Sequence, residues 1–309
     1  MRLLVLAQAR HSYTTRRLVE AAKRARHKID VHSPLHFRLG FGDVNFVGKS
    51  KGGPVDVVIP RYGASQQTYG GAVLSQFEAT GVQAFNPSGS IALVRNRIHA
   101  TQTFVLAGLP LPKAALIRRA EDVDAAIAAV GGLPVMLRRV SGQPTFGALF
   151  CETREGCLAV LEALWGLGHE VLVSQHFPEL GLVTGQALRC LVVRGEVAAV
   201  IRRKVRMIRT RFRFERRGKA TEVTPPRALA DILRRVHEVS GLNLAGVDVL
   251  ETEDGYRVLE VNAVPGIEQL EMTTGRDLAR VVIDAATLDS APKVKTAARP
   301  AKKKKRKSA

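Results

Sequence analysis

Cysteine is scarce in this chain. Cys151, Cys157 and Cys190 are the three present in 309 residues, with no metal-ligand spacing and an odd count, which excludes a disulfide framework and fits a reducing compartment. Aromatic residues make up only 5%, fewer than proteins that stack single-stranded bases usually carry. No apolar run approaches the roughly 18 residues a membrane helix needs, and the opening Met1-Arg2-Leu3-Leu4-Val5-Leu6-Ala7 is too short for a signal peptide. A soluble, cytoplasmic protein with no membrane partner is expected. Acids are in short supply too: 28 against 47 lysines and arginines, a formal charge of +19. From Ala291 onward there is no acid at all, and Lys293, Lys295, Arg299, Lys302, Lys303, Lys304, Lys305, Arg306 and Lys307 stand among Ala, Pro and a few other uncharged residues. Residues 290–309 therefore read as a disordered basic tail, and a basic body with a basic tail attracts polyanions, so RNA or a ribosome is an expected neighbour. The 46% hydrophobic content nonetheless supports two or three packed subdomains.

The most informative stretch is residues 246–266, which reads as two strands joined at Glu253-Asp254-Gly255. Taken as a three-residue loop, that turn pairs Asp248 with Glu260 and puts Asn262 two residues further along the same face, because strand side chains alternate. The opposite face carries Val247, Val249, Leu259 and Val261 and needs an apolar cover. Two carboxylates and an amide held together repel unless a positive charge sits among them, and hard oxygen donors suit magnesium with a bound phosphate. An ordinary hairpin whose acids face water fits the spacing equally well.

Earlier in the chain, an apolar run over 2–7, a helix begun at Ser12 and presenting Leu18, Val19, Ala22 and Ala25, a strand over 55–59 and a helix over 70–80 alternate as a small parallel-sheet domain does. Residues 40–53 read as an exposed loop. A helix over 121–130, strands over 134–140 and 148–151, a helix capped by Thr153 and a strand over 171–174 form an α+β lid. A hairpin through Arg194-Gly195 leads into the arginine-rich run 202–219. A helix over 227–240, with Leu229, Ile232, Leu233, Val236 and Val239 inward, ends at Gly241, and another helix over 276–287 closes the fold.

Glu260-Val261-Asn262-Ala263-Val264-Pro265-Gly266 resembles the E-V-N-x-x-P-G signature of ATP-grasp ligases. Continued to Thr273-Thr274-Gly275, it is most similar to the RimK-type glutamate ligases, over roughly residues 1 to 285. The resemblance implies an α/β and α+β protein of ATP-grasp fold: an N-terminal parallel-sheet domain over 1–88, a lid subdomain over 89–174 and a metal-binding C-terminal subdomain over 175–289. It implies ATP and magnesium, or manganese, as cofactors, with Asp248, Glu260 and Asn262 as metal ligands. Arg95-Asn96-Arg97 stands where the family has R-D-K. Arg138 begins the run that replaces the family's lysine and glycine-rich loop, so Arg97 and Arg138 are the implied ATP contacts. Gln175-His176-Phe177 stands at Q-E-[YF], which puts Gln175 and His176 at the nucleotide. Gly185-Gln186-Ala187-Leu188-Arg189 matches G-x-D-[IL]-R with alanine for the aspartate. Arg203 and Arg211 are the implied catalytic arginines, Arg211 also meeting ATP, with Arg213 where the family has asparagine. Pro60-Arg61-Tyr62-Gly63 and Arg189 are implied on the substrate side.

The implied activity is addition of an amino acid, glutamate in the family, to a protein or peptide carboxylate through an acyl phosphate, with a ribosomal protein as one such acceptor and a homo-oligomer as an allowed state. A second reading keeps the fold without the chemistry. In the lid, Pro144 removes a backbone donor and Phe146 adds bulk where N–H groups should approach phosphate. With Ala187 and Arg213, these describe a catalytically degenerate homologue that binds a ribosome or RNA.

Overall fold

The structure is a computed structural model describing residues 1–40, 47–48, 54–140, 149–178, 184–209 and 214–288. The run 141–147, with Pro144 and Phe146, therefore lies wholly outside the described residues, the run 202–219 is only partly covered, and Arg211, Arg213 and the basic tail also lie outside.

The N-terminal domain opens with β1 (Arg2–Leu6), α1 (Tyr13–Arg24), β2 (Lys28–His32) and a two-stranded ribbon, β3 (Phe37–Arg38) with β4 (Val47–Gly48). It continues with β5 (Val57–Pro60), α2 (Gln67–Ala79) and β6 (Gln83–Ala84). The sheet is parallel in the order β2-β1-β5-β6. Such a sheet is covered on both faces, which is why Leu3–Leu6 and Val57–Ile59 are unbroken apolar runs with no exposure. The Ser12 hydroxyl caps α1 by accepting from the Thr15 amide.

Next come α3 (Ser88–Arg95) and α4 (Arg97–Leu106). Their inward residues Ile91, Ala100 and Phe104 share a core with Val58 and Leu74 of the N-terminal domain and with Leu229 and Val247 near the C-terminus. Residues 89–106, grouped with the lid on the sequence, therefore pack into the body, where their apolar partners are. The lid sheet comprises β7 (Ala114–Leu116), β8 (Val135–Arg139), β9 (Leu149–Cys151) and β10 (Val171–Gln175) in the order β7-β10-β8-β9. With α5 (Val123–Ala129) and α6 (Arg154–Gly166) it encloses a separate core that includes Val135, Leu137, Leu161 and Val173.

The C-terminal sheet is antiparallel, in the order β13-β12-β11-β14-β15. Its strands are β11 (Thr184–Val193), β12 (Glu196–Arg209), β13 (Phe214–Glu222), β14 (Leu244–Thr252) and β15 (Gly255–Asn262). Packed with it are α7 (Arg227–Ser240), α8 (Glu268–Thr274) and α9 (Leu278–Thr287). Gly241 ends α7 at φ 67°, the left-handed conformation glycine adopts at little strain. Among the described residues no helix is long and apolar enough to cross a membrane.

The hairpin differs from its sequence reading in one instructive way. Its turn is two residues long, with Thr252 opposite Gly255 and Val249 opposite Val258. Left alone, that register would put Asp248 opposite Leu259. A bulge inserts Leu259 as an extra residue, and beyond it Asp248 does face Glu260 and Gly246 faces Asn262. The bulge also changes the apolar face: Val247, Val249 and Val258 are buried, whereas Leu259 is half-buried and turned to the cleft described next.

Candidate active site

A cleft of about 620 Å³ lies between the three parts of the molecule. One wall is the N-terminal domain from Arg61 to Thr68, and α3 and α4 contribute Arg95, Arg97 and Phe104. The lid contributes Arg139 and Val140, and β15 with the turn after it forms the floor from Val258 to Val264. Four of the lining residues are arginines and one, Glu260, is an acid.

Ladder pairing places the charged side chains of the C-terminal sheet. Arg203 on β12 opposes Ala187 on β11, Arg189 on β11 opposes Asp248 on β14, and Asp248 opposes Glu260 on β15. With period-two alternation these side chains, and Asn262, share one face. Arg203 reaches over β11, where Ala187 offers only a methyl group, and its Nη2 donates to Asp248 Oδ1 at 3.0 Å. Arg189 Nε lies 3.8 Å from the same oxygen. Asn262 Oδ1 accepts from the Val264 amide at 2.8 Å, turning the chain into Pro265-Gly266. Gly246 makes room for that turn, since a Cβ there would meet Pro265 Cβ at 2.8 Å. Among the described residues the Glu260 carboxylate has no hydrogen-bonded partner, and no three His, Cys, Asp or Glu side chains gather as a metal cluster. Two carboxylates and one amide oxygen remain, hard donors of the kind magnesium takes when phosphate completes its shell.

Arg138 lies on β8 between core residue Leu137 and Arg139, so alternation turns it away from the lid core. Burial pulls its guanidinium down to about 10, the like charge of Arg97 adds to that, and Glu260 opposes it. Its Nε is buried with no acceptor. The arrangement is a desolvated cation facing a second cation, with one carboxylate nearby, which favours an incoming anion.

The remaining sequence candidates are dispersed. Arg61 lines the cleft and its Nη1 donates to the Pro265 carbonyl at 2.5 Å. Gln175 Oε1 accepts from the Lys113 amide at 3.3 Å, and the His176 ring meets Phe150 edge-on at 4.9 Å. Neither lines the cleft. All three cysteines are buried and free.

Sequence reasoning gave Arg95 no role and missed Asn86. Asn86 is buried, donates to the Leu244 and Ala263 carbonyls at 2.6 and 2.8 Å, and accepts from the Leu244 amide at 2.6 Å. It thereby ties the N-terminal domain to both strands of the hairpin. The Asn86-Pro87-Ser88 punctuation marks a helix start, and nothing in it shows that the amide points into the body.

A parallel-sheet domain, an antiparallel lid with its own core, and a basic cleft closed below by an acidic sheet face make up the ATP-grasp architecture. Family models for the RimK PreATP-grasp domain and the RimK-like ATP-grasp domain match residues 1–91 and 94–286. The chain belongs to the RimK-like ATP-grasp family and is an ATP-dependent ligase. It is 36% identical over 297 residues to a probable alpha-L-glutamate ligase of Pseudomonas paraeruginosa, covering 94% of this chain and 97% of the relative. A probable alpha-L-glutamate ligase of Azotobacter vinelandii is 35% identical over 290 residues, covering 92% and 94%. Among solved structures, a RimK domain ATP-grasp protein from Sphaerobacter thermophilus superposes with a TM-score of 0.71 at 24% identity, covering 93% of this chain and 100% of that one. The ATP-grasp ligase PsnB complexed with minimal precursor, Mg and ADP superposes at 0.68 with 19% identity, covering 92% and 96%.

Proposed function

We propose that the chain joins an amino acid, glutamate, to the carboxylate of a protein or peptide, using ATP to activate that carboxylate as an acyl phosphate. The observation that carries the reading is the sheet face on which Asp248 pairs with Glu260, with Glu260 and Asn262 on the floor of an arginine-lined cleft. In this reading those three residues hold magnesium, or manganese, together with the nucleotide. A bound ion would supply positive charge that offsets the charge of the phosphates. Arg138 neutralises phosphate from the lid and Arg97 from the start of α4. Arg203, already oriented by Asp248, and Arg211 in the basic run stabilise the charge that develops as the phosphoryl group moves. Arg61 and Arg189 face the substrates. Gln175 and His176, at the end of β10, border the nucleotide. Such a ligation depends on positioning and charge, so no protein nucleophile is required.

The test is ADP release across a panel of amino acids with magnesium and an acidic C-terminal peptide. Turnover with glutamate that disappears in Glu260→Ala supports the reading; a flat panel overturns it.

The nine cations after Ala291 bear on where the acceptor is met. In this reading they hold the enzyme near RNA or a ribosome through charge alone. A chain ending at Asp289 is expected to lose much of the salt dependence of RNA binding in filter-binding titrations. An unchanged salt slope would remove the tail from the account.

A further inference from the structure

Two guanidiniums at the N-terminal wall of the cleft are each anchored at one end and unsatisfied at the other. Arg61 is fixed by Nη1 on the Pro265 carbonyl, and its Nε is buried without an acceptor. Arg95 donates Nη2 to the Tyr62 carbonyl at 2.6 Å and lies over the Tyr62 ring at 4.8 Å, and its Nη1 is likewise buried without an acceptor. Burial lowers both, Arg61 to about 10. Glu260 is the one acid among the residues lining the cleft, on the opposite floor. Buried N–H groups without acceptors are costly, and a fixed pair of them beside a cavity fits an anion better than water.

We propose that Arg61 and Arg95 form a carboxylate-binding pair that holds the substrate carboxylate not being activated, a role resting on the ligase reading above. The surroundings favour carboxylate over phosphate. Arg61 sits on the N-terminal domain and Arg95 ends α3 in the body, both apart from Arg138 on the lid, and the hydroxyls of Ser65 and Thr68 and the amide of Gln67 line the same cleft. The thirteen-residue helix α2 begins at this wall with no side-chain cap, so its first turn adds a favourable dipole. A planar guanidinium matches a planar carboxylate through paired hydrogen bonds. Arg95 is held there by Tyr62, and Tyr62 by Gly70: a Cβ at position 70 would stand 2.8 Å from the ring. Tyr62 and Gly70 are positioning residues. The carboxylate has two sources of the same chemistry, the free acidic amino acid or the acidic end of the acceptor.

The test uses the full chain with Arg95→Gln, Arg95→Lys and Gly70→Ala, checking folding by melting. Steady-state rates are measured against ATP, free glutamate and an acidic C-terminal peptide in turn, and glutarate binding is measured by calorimetry without nucleotide. The KM for one carboxylate substrate is expected to rise about ten- to a hundredfold in Arg95→Gln. Which KM rises identifies the source. Gly70→Ala should move it the same way by less, and the ATP KM should hold. A rise in ATP KM instead, a fall confined to kcat, or glutarate binding that ignores the substitutions overturns the proposal. If the wild type releases no ADP with any substrate yet loses glutarate binding in Arg95→Gln, the ligase reading fails and the carboxylate pair stands. Should Arg95→Gln not fold, Arg95→Lys and Gly70→Ala carry the same comparison.

Discussion

The cleft has two junctions, and they are built differently. Where the N-terminal domain meets the body, apolar residues from both sides share cores: Leu3, Leu18 and Ile59 pack with Leu191, Val282 and Ile283. Polar groups then stitch the seam. Glu271, buried on α8, accepts from Arg17 Nε at 2.8 Å, the Tyr13 hydroxyl at 2.9 Å and the Ala279 amide at 2.9 Å, and Arg17 also reaches Asp277. Where the lid meets the body, by contrast, every described residue of the lid core comes from the lid itself, between Ala115 and Val173. The segment between α4 and β7 is tied down by the Val258 amide, which donates to the Pro110 carbonyl at 2.7 Å. The difference assigns rigidity to the Arg61–Arg95 wall and freedom to the Arg138 side. A substrate wall fixed to the floor and a lid with its own core suit a site that must admit a nucleotide and then exclude water.

The seam should break first and hardest. Glu271→Gln leaves Arg17 without a buried counter-charge and is expected to lower stability by about 3 kcal/mol, read as a fall in melting temperature of the whole chain. Burial pushes the Glu271 carboxyl up, but hydrogen bonds from Arg17, Ala279 and Tyr13 outweigh it and hold it below the ordinary 4.5. A depressed carboxyl contributes stability above 4.5 that fades as pH falls through its lower folded value. The gap between wild type and Glu271→Gln should therefore close in acid and stay constant from pH 6 to 8. A gap that instead widens in acid would show that the carboxylate is not what holds the seam. Asn86→Ala, leaving three backbone groups of Leu244 and Ala263 short of a partner, should cost about 2 kcal/mol with the same global signature.

In the lid, Leu161→Ala at a position with no exposure should cost about 2–3 kcal/mol, but locally. Hydrogen exchange is expected to lose protection in α5, α6 and the lid sheet while β11, β14 and the parallel sheet keep theirs. Equal loss everywhere would make the molecule one cooperative unit and remove the contrast between the junctions.

Much of this was legible in the residues. The Asp248–Glu260 pairing came from strand alternation and a turn signal, although by a wrong loop length that the bulge at Leu259 corrects. A bulge leaves no mark in composition, because what selects it is the need to keep Val258 against Val249 while turning Glu260 to the floor. Helix limits read well where a cap exists, as at Ser12, Thr153 and Gly241. The placement of α3 and α4 read poorly, since Ile91, Ala100 and Phe104 fix the helix face that is buried and not the partner that buries it. For the same reason Arg95, though part of the R-D-K match, was given no role: its partners Tyr62 and Gly70 are more than twenty residues away, and only the fold brings them under it.

The smallest effect on stability is expected at Arg138, and it sharpens the comparison most. Burial, not a partner, sets the state of this guanidinium, and its Nε finds no acceptor. Replacing it with methionine removes a desolvated charge and keeps the apolar stem, so the melting temperature should hold or rise slightly. ATP affinity should fall about tenfold or more in the same protein, because a cation that is uncompensated in the free enzyme is one an anion gains from fully. At the seam the opposite pairing holds, with Glu271→Gln losing stability while the ATP KM stays near wild type. If Arg138→Met instead melts early with ATP affinity intact, Arg138 is a structural contact of the lid, and the lid is held to the body as firmly as the N-terminal domain is.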